Sequence, residues 1–355
     1  MDACESCRQS AARGCRTEKK SWRNQPTAKL TVVIWVNNLT VSVLDPAIVI
    51  SVMRRTPLFY EGRGDVASDR PSHVRAASGI CRFGGRLIVI QDDANWLASI
   101  DEEGRVHPVA LPRGAGGLRL FDESRGNKHQ KLDLEACTVV TLGERQVLLA
   151  FGSGSTPARE QIVLVDGERL RVVAAHALYR SLREATVFSG SELNVEGAVA
   201  LGDDVILFNR GNGACSGVRR PVNATCKLNA NALVHYLDDV SRVVPRIRDV
   251  EAFDLGTVLG TSLTFTDGAV FGNEVAYVAA AEASVDAVKD GPVAGVAIGI
   301  LGNAPRYGIV CEKNGEPSRS KIEGLIHDRG RWLAVVDSDE SMQPAEILEL
   351  NISGL

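Results

Sequence analysis

One two-strand phrase recurs along this chain, and the recurrence limits the folds open to it. In the clearest copy, Lys321-Ile322-Glu323-Gly324-Leu325 opens an apolar strand and Arg329-Gly330 turns the chain. Residues 332–336 then run back into the acidic loop Asp337-Ser338-Asp339-Glu340. Four worn copies stand upstream: Ser78-Gly79-Ile80 leads to residues 87–93, and Glu135-Ala136-Cys137 to 147–153. Glu196-Gly197-Ala198 leads to 205–210, and Asp267-Gly268-Ala269 to 275–278. A period of roughly 60 residues in an apolar, turn-punctuated pattern predicts all-β repeats of the propeller type.

The reading is therefore a single all-β propeller over residues 53–355, with five blades favoured and six if residues 30–52 and a loop supply one more. Residues 1–52 form an N-terminal extension, its first part polar and disordered by composition. The last repeat holds only three strands, at 322–327, 331–337 and 345–350. Residues 53–60 look like a lone strand, and lending it to the last blade closes the ring and hides two sheet edges. A helical insert is expected at 176–186, strands at 232–236 and 250–255, and a long Gly- and Cys-containing loop at 211–230 suited to function.

Composition narrows the partners. A formal net charge of −4 gives no basic face for nucleic acid. No stretch nears the ~20 apolar residues of a membrane helix, and no secretory leader is legible. Cys81 and Cys137 sit in apolar strands as small buried hydrophobes, and Cys4 and Cys7 form a CxxC with no second pair at zinc spacing. The expectation is a reduced, cytoplasmic protein with a small-molecule ligand, no nucleic acid and no membrane partner.

Antiparallel geometry places the start of each first strand beside the end of each second strand. Two polar sets then meet on one face of the ring. Glu135, Glu196, Asp267 and Glu323, with Ser78 in the remaining copy, stand at the first position, and Asp133, Asn194 and Lys321 precede them by two residues. Asp92, Asp93, Asn95, Ser153, Ser155, Arg210, Asn212 and Asp337 stand at the second. Crowded carboxylates need a cation or raised pKa values. Glu135, Glu196, Asn194, Asp267, Glu323 and Asp337 are thus candidate ligands for Ca²⁺ or another divalent ion. Arg75, Lys131, Arg159, Arg210 and Lys321, together with Asp92, Asp93, Asn95, Ser153, Ser155 and Asn212, are the candidate substrate-binding residues. His129, Glu135 and Glu196 are the candidate acid–base groups. The competing reading makes each repeated acid a latch to the neighbouring blade. No GxSxG stands in the chain, which disfavours a serine nucleophile.

The segments 75–79, 91–95, 131–136, 152–155, 194–197 and 321–324 resemble a bacterial β-propeller family of unknown function. That family is similar in blade style to the phytase-like esterase propellers and, more distantly, to calcium-dependent lactonases of the gluconolactonase type. The resemblance covers about residues 53–355. The lactonase pattern implies a channel metal on Glu, Asn and Asp, for which Glu323, Glu196, Asn194 and Asp337 are the nearest matches by blade position. It implies metal-assisted hydrolysis of an ester, lactone or phosphoester. The alternative is a non-catalytic binding scaffold.

Overall fold

The computed structural model describes residues 39–282 and 291–355. The CxxC and most of the expected N-terminal extension lie outside these. The described chain is all-β and propeller-like, a succession of antiparallel meanders whose strands pair in chain order. The first meander holds the strands Ala77–Phe83, Arg86–Gln91, Trp96–Ile100 and Val106–Ala110. The second holds Leu134–Leu142, Arg145–Gly152, Gln161–Asp166 and Arg169–Ala174. Next come Val195–Leu201, Asp204–Asn209, Asn223–Asn229 and Arg248–Asp254. Thr261–Phe271, Glu274–Glu282, Val293–Ile300 and Arg306–Cys311 follow. Lys321–Asp328, Arg331–Asp337 and Glu346–Ser353 end the chain.

That last meander gains its fourth strand from the other end of the chain. Val49–Pro57 runs antiparallel to Glu346–Ser353, with Thr56 opposite Ile347 and Ile50 opposite Ile352. The strand begins four residues before the expected start at Met53 and ends at Pro57. Residues upstream of it also pair. Thr40–Val41 lies parallel to Phe253 and Asp254, and Val43–Leu44 lies parallel to Arg306 and Tyr307. Ser42 between them bonds the Tyr277 hydroxyl at 2.7 Å. This segment covers two outer edges that would otherwise present open backbone groups.

Two local expectations give way. Residues 232–236 are not a strand but part of the helix Ala230–Asp238, capped by Asn229, whose Oδ1 accepts from the Ala232 amide at 3.0 Å. Its buried residues Leu233, Val234, Tyr236 and Leu237 recur at helical spacing, a pattern that five residues are too few to reveal. The expected loop 211–230 is shorter, because Asn223–Asn229 is the third strand of its meander. The expected helical insert is present at His176–Glu184.

The core lies between successive meanders. Phe265 meets Phe208 and Tyr277 edge-to-face at centroid separations of 5.1 and 5.4 Å. At the inner strands the backbones nearly touch. A Cβ on Gly324 would stand 2.8 Å from the Gly79 Cα, and one on Gly197 would stand 3.0 Å from the Asp267 Cα. Only glycine permits such an approach without displacing backbone.

The first strand of every meander carries a register break at the same place. The breaks fall between Ala77 and Gly79, Leu134 and Ala136, Val195 and Gly197, Phe265 and Asp267, and Ile322 and Gly324. The extra residues are Ser78, Glu135, Glu196, Thr266 and Glu323. A bulge leaves its residue unpaired and re-aims the side chain. The fourth member of the repeated set is therefore Thr266 rather than Asp267, one residue away from the sequence alignment of the copies.

Candidate functional site

A cavity of about 310 Å³ opens over these bulges. Its wall draws on three positions of the meanders, the bulge, the residue two before it and the end of the second strand, and the meander that begins at Thr261 contributes none. Glu135, Glu196, Glu323 and Ser78 come from the first, Asp133, Asn194 and Lys321 from the second, and Asp92, Arg210 and Asp337 from the third. His129, on the short 3-10 turn Lys128–Gln130, joins them with Arg159 and Asn212.

Half of the wall is built on Lys131. Its ammonium lies 2.5 Å from Asp92 Oδ2 and 2.6 Å from Asp133 Oδ1. Arg159 adds a second cation, 3.0 Å from Asp133 Oδ2, and Ser153 donates to the same carboxylate. Asp133 adopts a φ of 57°, a left-handed conformation that Asp tolerates better than most residues. Burial alone would raise its pKa, but Lys131 and Arg159 outweigh it and hold the carboxyl below the usual range. Burial also opposes the charge on Lys131, yet Asp92 and Asp133 keep its pKa well above the ordinary lysine value.

Glu135 stands beside this cluster on different terms. Its carboxyl lines the cavity, and among the described residues it makes no hydrogen bond and no ion pair. Burial first, then the nearby charges of Asp92, Asp133 and Glu196, push its pKa well above the usual range. One oxygen each of Asp92, Asp133 and Glu135 lie within 4.8 Å of one another, a spacing that a single cation could bridge.

The other half is built on Arg210 and Lys321. Arg210 faces Glu282 at 2.9 Å, Glu196 at 3.5 Å and Glu323 at 3.9 Å. Lys321 faces Asp339 at 2.8 Å, Asp337 at 3.3 Å and Glu323 at 3.8 Å. Asn194 fixes Glu196 by donating to its Oε1 at 2.6 Å. Burial pushes Glu196 up to about 7 against the pull of Arg210, and Asp337 up to about 6 against Lys321. Glu323 rises well above the usual range for the same reason.

Several expected site residues lie elsewhere. Asp267 is buried outside the cavity, where its carboxylate accepts from the Leu325 amide at 2.9 Å and from the amides of Gly268 and Ala198. It ties its own strand to both neighbours, so the metal-ligand role expected of it has no place. Arg75 and Asp93 pair at 2.5 Å behind the wall, where burial lifts Asp93 to about 7. Asn95 spends its amide on the Pro112 carbonyl at 2.9 Å. Ser153 and Ser155 brace Asp133 and Arg159 rather than face the opening. None of Arg75, Asp93, Asn95, Ser153 and Ser155 lines the cavity as a substrate-binding residue would. Conversely, Glu123 and Gly126 line it from the loop before the second meander, which carries no repeat signal.

Solved structures of similar fold include a streptogramin B lyase, at 9% identity over 84% of this chain and 98% of that one, with a TM-score of 0.37. A gluconolactonase from Xanthomonas campestris matches at 10% identity over 86% of this chain and 99% of that one, with a TM-score of 0.36. An exo-1,5-alpha-L-arabinanase from a bovine ruminal metagenomic library matches at 9% identity over 81% and 94%, with a TM-score of 0.40. These are likenesses of fold and carry nothing about chemistry. No curated protein matches the sequence. Over residues 73–352 the chain matches the model of a family of unknown function (DUF6929), and it belongs to that family.

Proposed function

We propose that this is a five-bladed propeller, closed by its N-terminal strand, whose cavity binds a polar small molecule and hydrolyses an ester, lactone or phosphoester bond in it. Five bulged strands in sequence support the blade count. Contacts from each inner strand to the next support closure: Ser78 Oγ to the Leu134 carbonyl, the Ala200 amide to Thr138 Oγ1 at 2.9 Å, Gly197 on Asp267, Asp267 to Leu325 and Gly324 on Gly79.

The observation that carries the chemical reading is Glu135. A cavity-facing carboxyl with no hydrogen-bond partner, whose pKa burial and the neighbouring acids push well above the usual range, holds its proton more tightly than an ordinary carboxyl and can donate it. In the proposed step a water oxygen bonds to the carbonyl carbon or phosphorus and its proton passes to ionised Glu196. The bond to the leaving oxygen breaks as Glu135 protonates that oxygen, and solvent exchange resets both groups. Glu196, near 7, is partly ionised at neutral pH and suits the base role. His129 stands at the cavity wall, on the short turn Lys128–Gln130.

The test is a screen of esters, lactones and phosphoesters on the purified chain, with Glu135→Gln as control. Turnover by the parent, reduced about 10²–10⁴-fold in kcat by Glu135→Gln, is the expected result. Binding without turnover of any of the three classes would favour the scaffold reading, to which the latches at Ser78, Thr266 and Asp267 lend support. A second reading places Ca²⁺ or a similar hard ion on Asp92, Asp133 and Glu135 to polarise the scissile oxygen. Metal content by mass spectrometry decides that point.

A further inference from the structure

We propose that the ammonium of Lys131 is the resident cation of the Asp92, Asp133 and Glu135 cluster, standing where a divalent metal would stand, so that the cavity works without a metal. A hard divalent ion sits about 2.0–2.6 Å from its carboxylate oxygens. The Lys131 Nζ already lies 2.5 Å from Asp92 Oδ2 and 2.6 Å from Asp133 Oδ1, on two of the three carboxylates that each bring an oxygen within 4.8 Å of the others. An ion bound to those two oxygens would overlap Nζ or meet its charge at contact distance.

The lysine cannot easily make room. The residue is only 5% exposed, and its neighbours at the cavity wall include a second cation, Arg159, 3.0 Å from Asp133. Lys131 and Arg159 together balance the two aspartates. Even with Glu135 ionised, a divalent ion added to that set would leave one positive charge in excess in a buried place, which costs heavily. Glu135 feels the Lys131 charge only at longer range, and burial with the neighbouring acids outweighs it.

The same geometry gives Lys131 a task toward the ligand. An ammonium has three N–H donors. Asp92 and Asp133 take two, and Lys131 lines the cavity. The third donor serves a carbonyl or phosphoryl oxygen of the bound molecule, supplying the positive charge that a metal supplies elsewhere. This last role rests on reading the cavity as a ligand site; the absence of metal does not.

The two are separated by an experiment that needs no substrate. Calorimetric titration with CaCl₂ and MnCl₂, and thermal melts with and without MnCl₂, are run on the parent chain, Lys131→Ala and Lys131→Arg. The parent and Lys131→Arg are expected to show no saturable binding below about 1 mM, the weak end of protein calcium sites. Lys131→Ala, relieved of the ammonium, is expected to take up one ion at least tenfold more tightly and to gain melting temperature from Mn²⁺. Lys131→Met, which keeps most of the stem's volume, replaces it should the alanine variant not fold. A parent chain that holds one divalent ion, or that loses melting temperature with EDTA, overturns the proposal. So does a folded Lys131→Ala or Lys131→Met that binds no better than the parent.

Discussion

Ser78 and Thr266 occupy the same bulge of their strands as Glu135, Glu196 and Glu323, yet the two groups do opposite things. The hydroxyls turn sideways: Ser78 donates to the Leu134 carbonyl and Thr266 to the Ile322 carbonyl, at 2.8 Å for the latter. Each acceptor lies one residue before the next meander's bulge. The glutamates, two bonds longer, reach instead over the cavity. The bulge is thus a device of the fold that unpairs one residue per inner strand. Side-chain length then decides whether that residue joins two meanders or faces the cavity. Of the repeated positions, Ser78 and Thr266 are latches to the next meander, while the three glutamates line the cavity.

The comparison breaks most sharply if the charged side of it is stripped of its cation. Arg210 is 4% exposed and faces three buried acids, Glu196, Glu282 and Glu323. Arg210→Met takes the guanidinium from all three and leaves only Lys321 beside Glu323, and it is expected to cost about 3–5 kcal/mol, read as a lowered midpoint in urea denaturation at pH 7. The deficit should narrow at pH 5, because burial raises Glu196 to about 7 and Glu323 well above the usual range. A loss of under about 1 kcal/mol at pH 7 would mean that Arg210 does little to balance these acids in the folded chain.

A smaller effect separates the glutamates from ordinary surface acids. Burial raises Glu196 from an ordinary 4.5 to about 7. Between those values the unfolded chain has lost a proton that the folded chain keeps. The stability contributed by the protonated group is therefore full below pH 4.5 and is lost as pH rises through 7. Glu135 and Glu323, also raised, act in the same direction. The melting temperature is expected to fall from pH 5 to pH 8, and Glu196→Gln, which cannot ionise, is expected to make that fall shallower. A parent chain whose melting temperature climbs over this range would show that the acids are stabilised as anions by Arg210 and Lys321.

Much of this was legible before any coordinates. The apolar repeat is a property of strands buried on both faces, so sequence reports it directly, and the short last repeat pointed to a donated strand from the N-terminal end. Glu135, Glu196, Glu323, Arg210 and Lys321 were placed on one face by strand geometry alone, whereas Lys131 was singled out only as a basic residue near it. Asp267 was misplaced, because a bulge adds one residue on one strand without a mark in composition, and the copies were aligned on Asp-Gly-Ala where register demanded Thr266. The helix Ala230–Asp238 escaped because its apolar run, cut to five residues, has no period to read. The division of labour among the basic residues was also invisible. Whether a cation neutralises a neighbour away from the cavity or stands at its wall depends on ångström distances that spacing does not encode: Lys131 lines the cavity, and Arg75 does not.

The smallest effects test the uncharged side of the comparison. Ser78→Ala removes one buried hydroxyl bond to the Leu134 carbonyl, and Thr266→Val removes one to Ile322 while keeping the β-branched shape. Each is expected to cost about 1 kcal/mol, the ordinary net worth of such a bond, with a further increment because a buried carbonyl loses a partner. Ser78 also lines the cavity, whereas Thr266 does not. Denaturant midpoints for both variants should thus fall by similar amounts, while ligand binding or turnover should change for Ser78→Ala alone. If Thr266→Val altered binding as much as Ser78→Ala, the hydroxyls would be acting through the spacing of the inner strands rather than as separate latches. In that case the three glutamates would owe their positions to the same hydrogen bonds, and the two kinds of bulge residue would have to be treated as one cooperative ring.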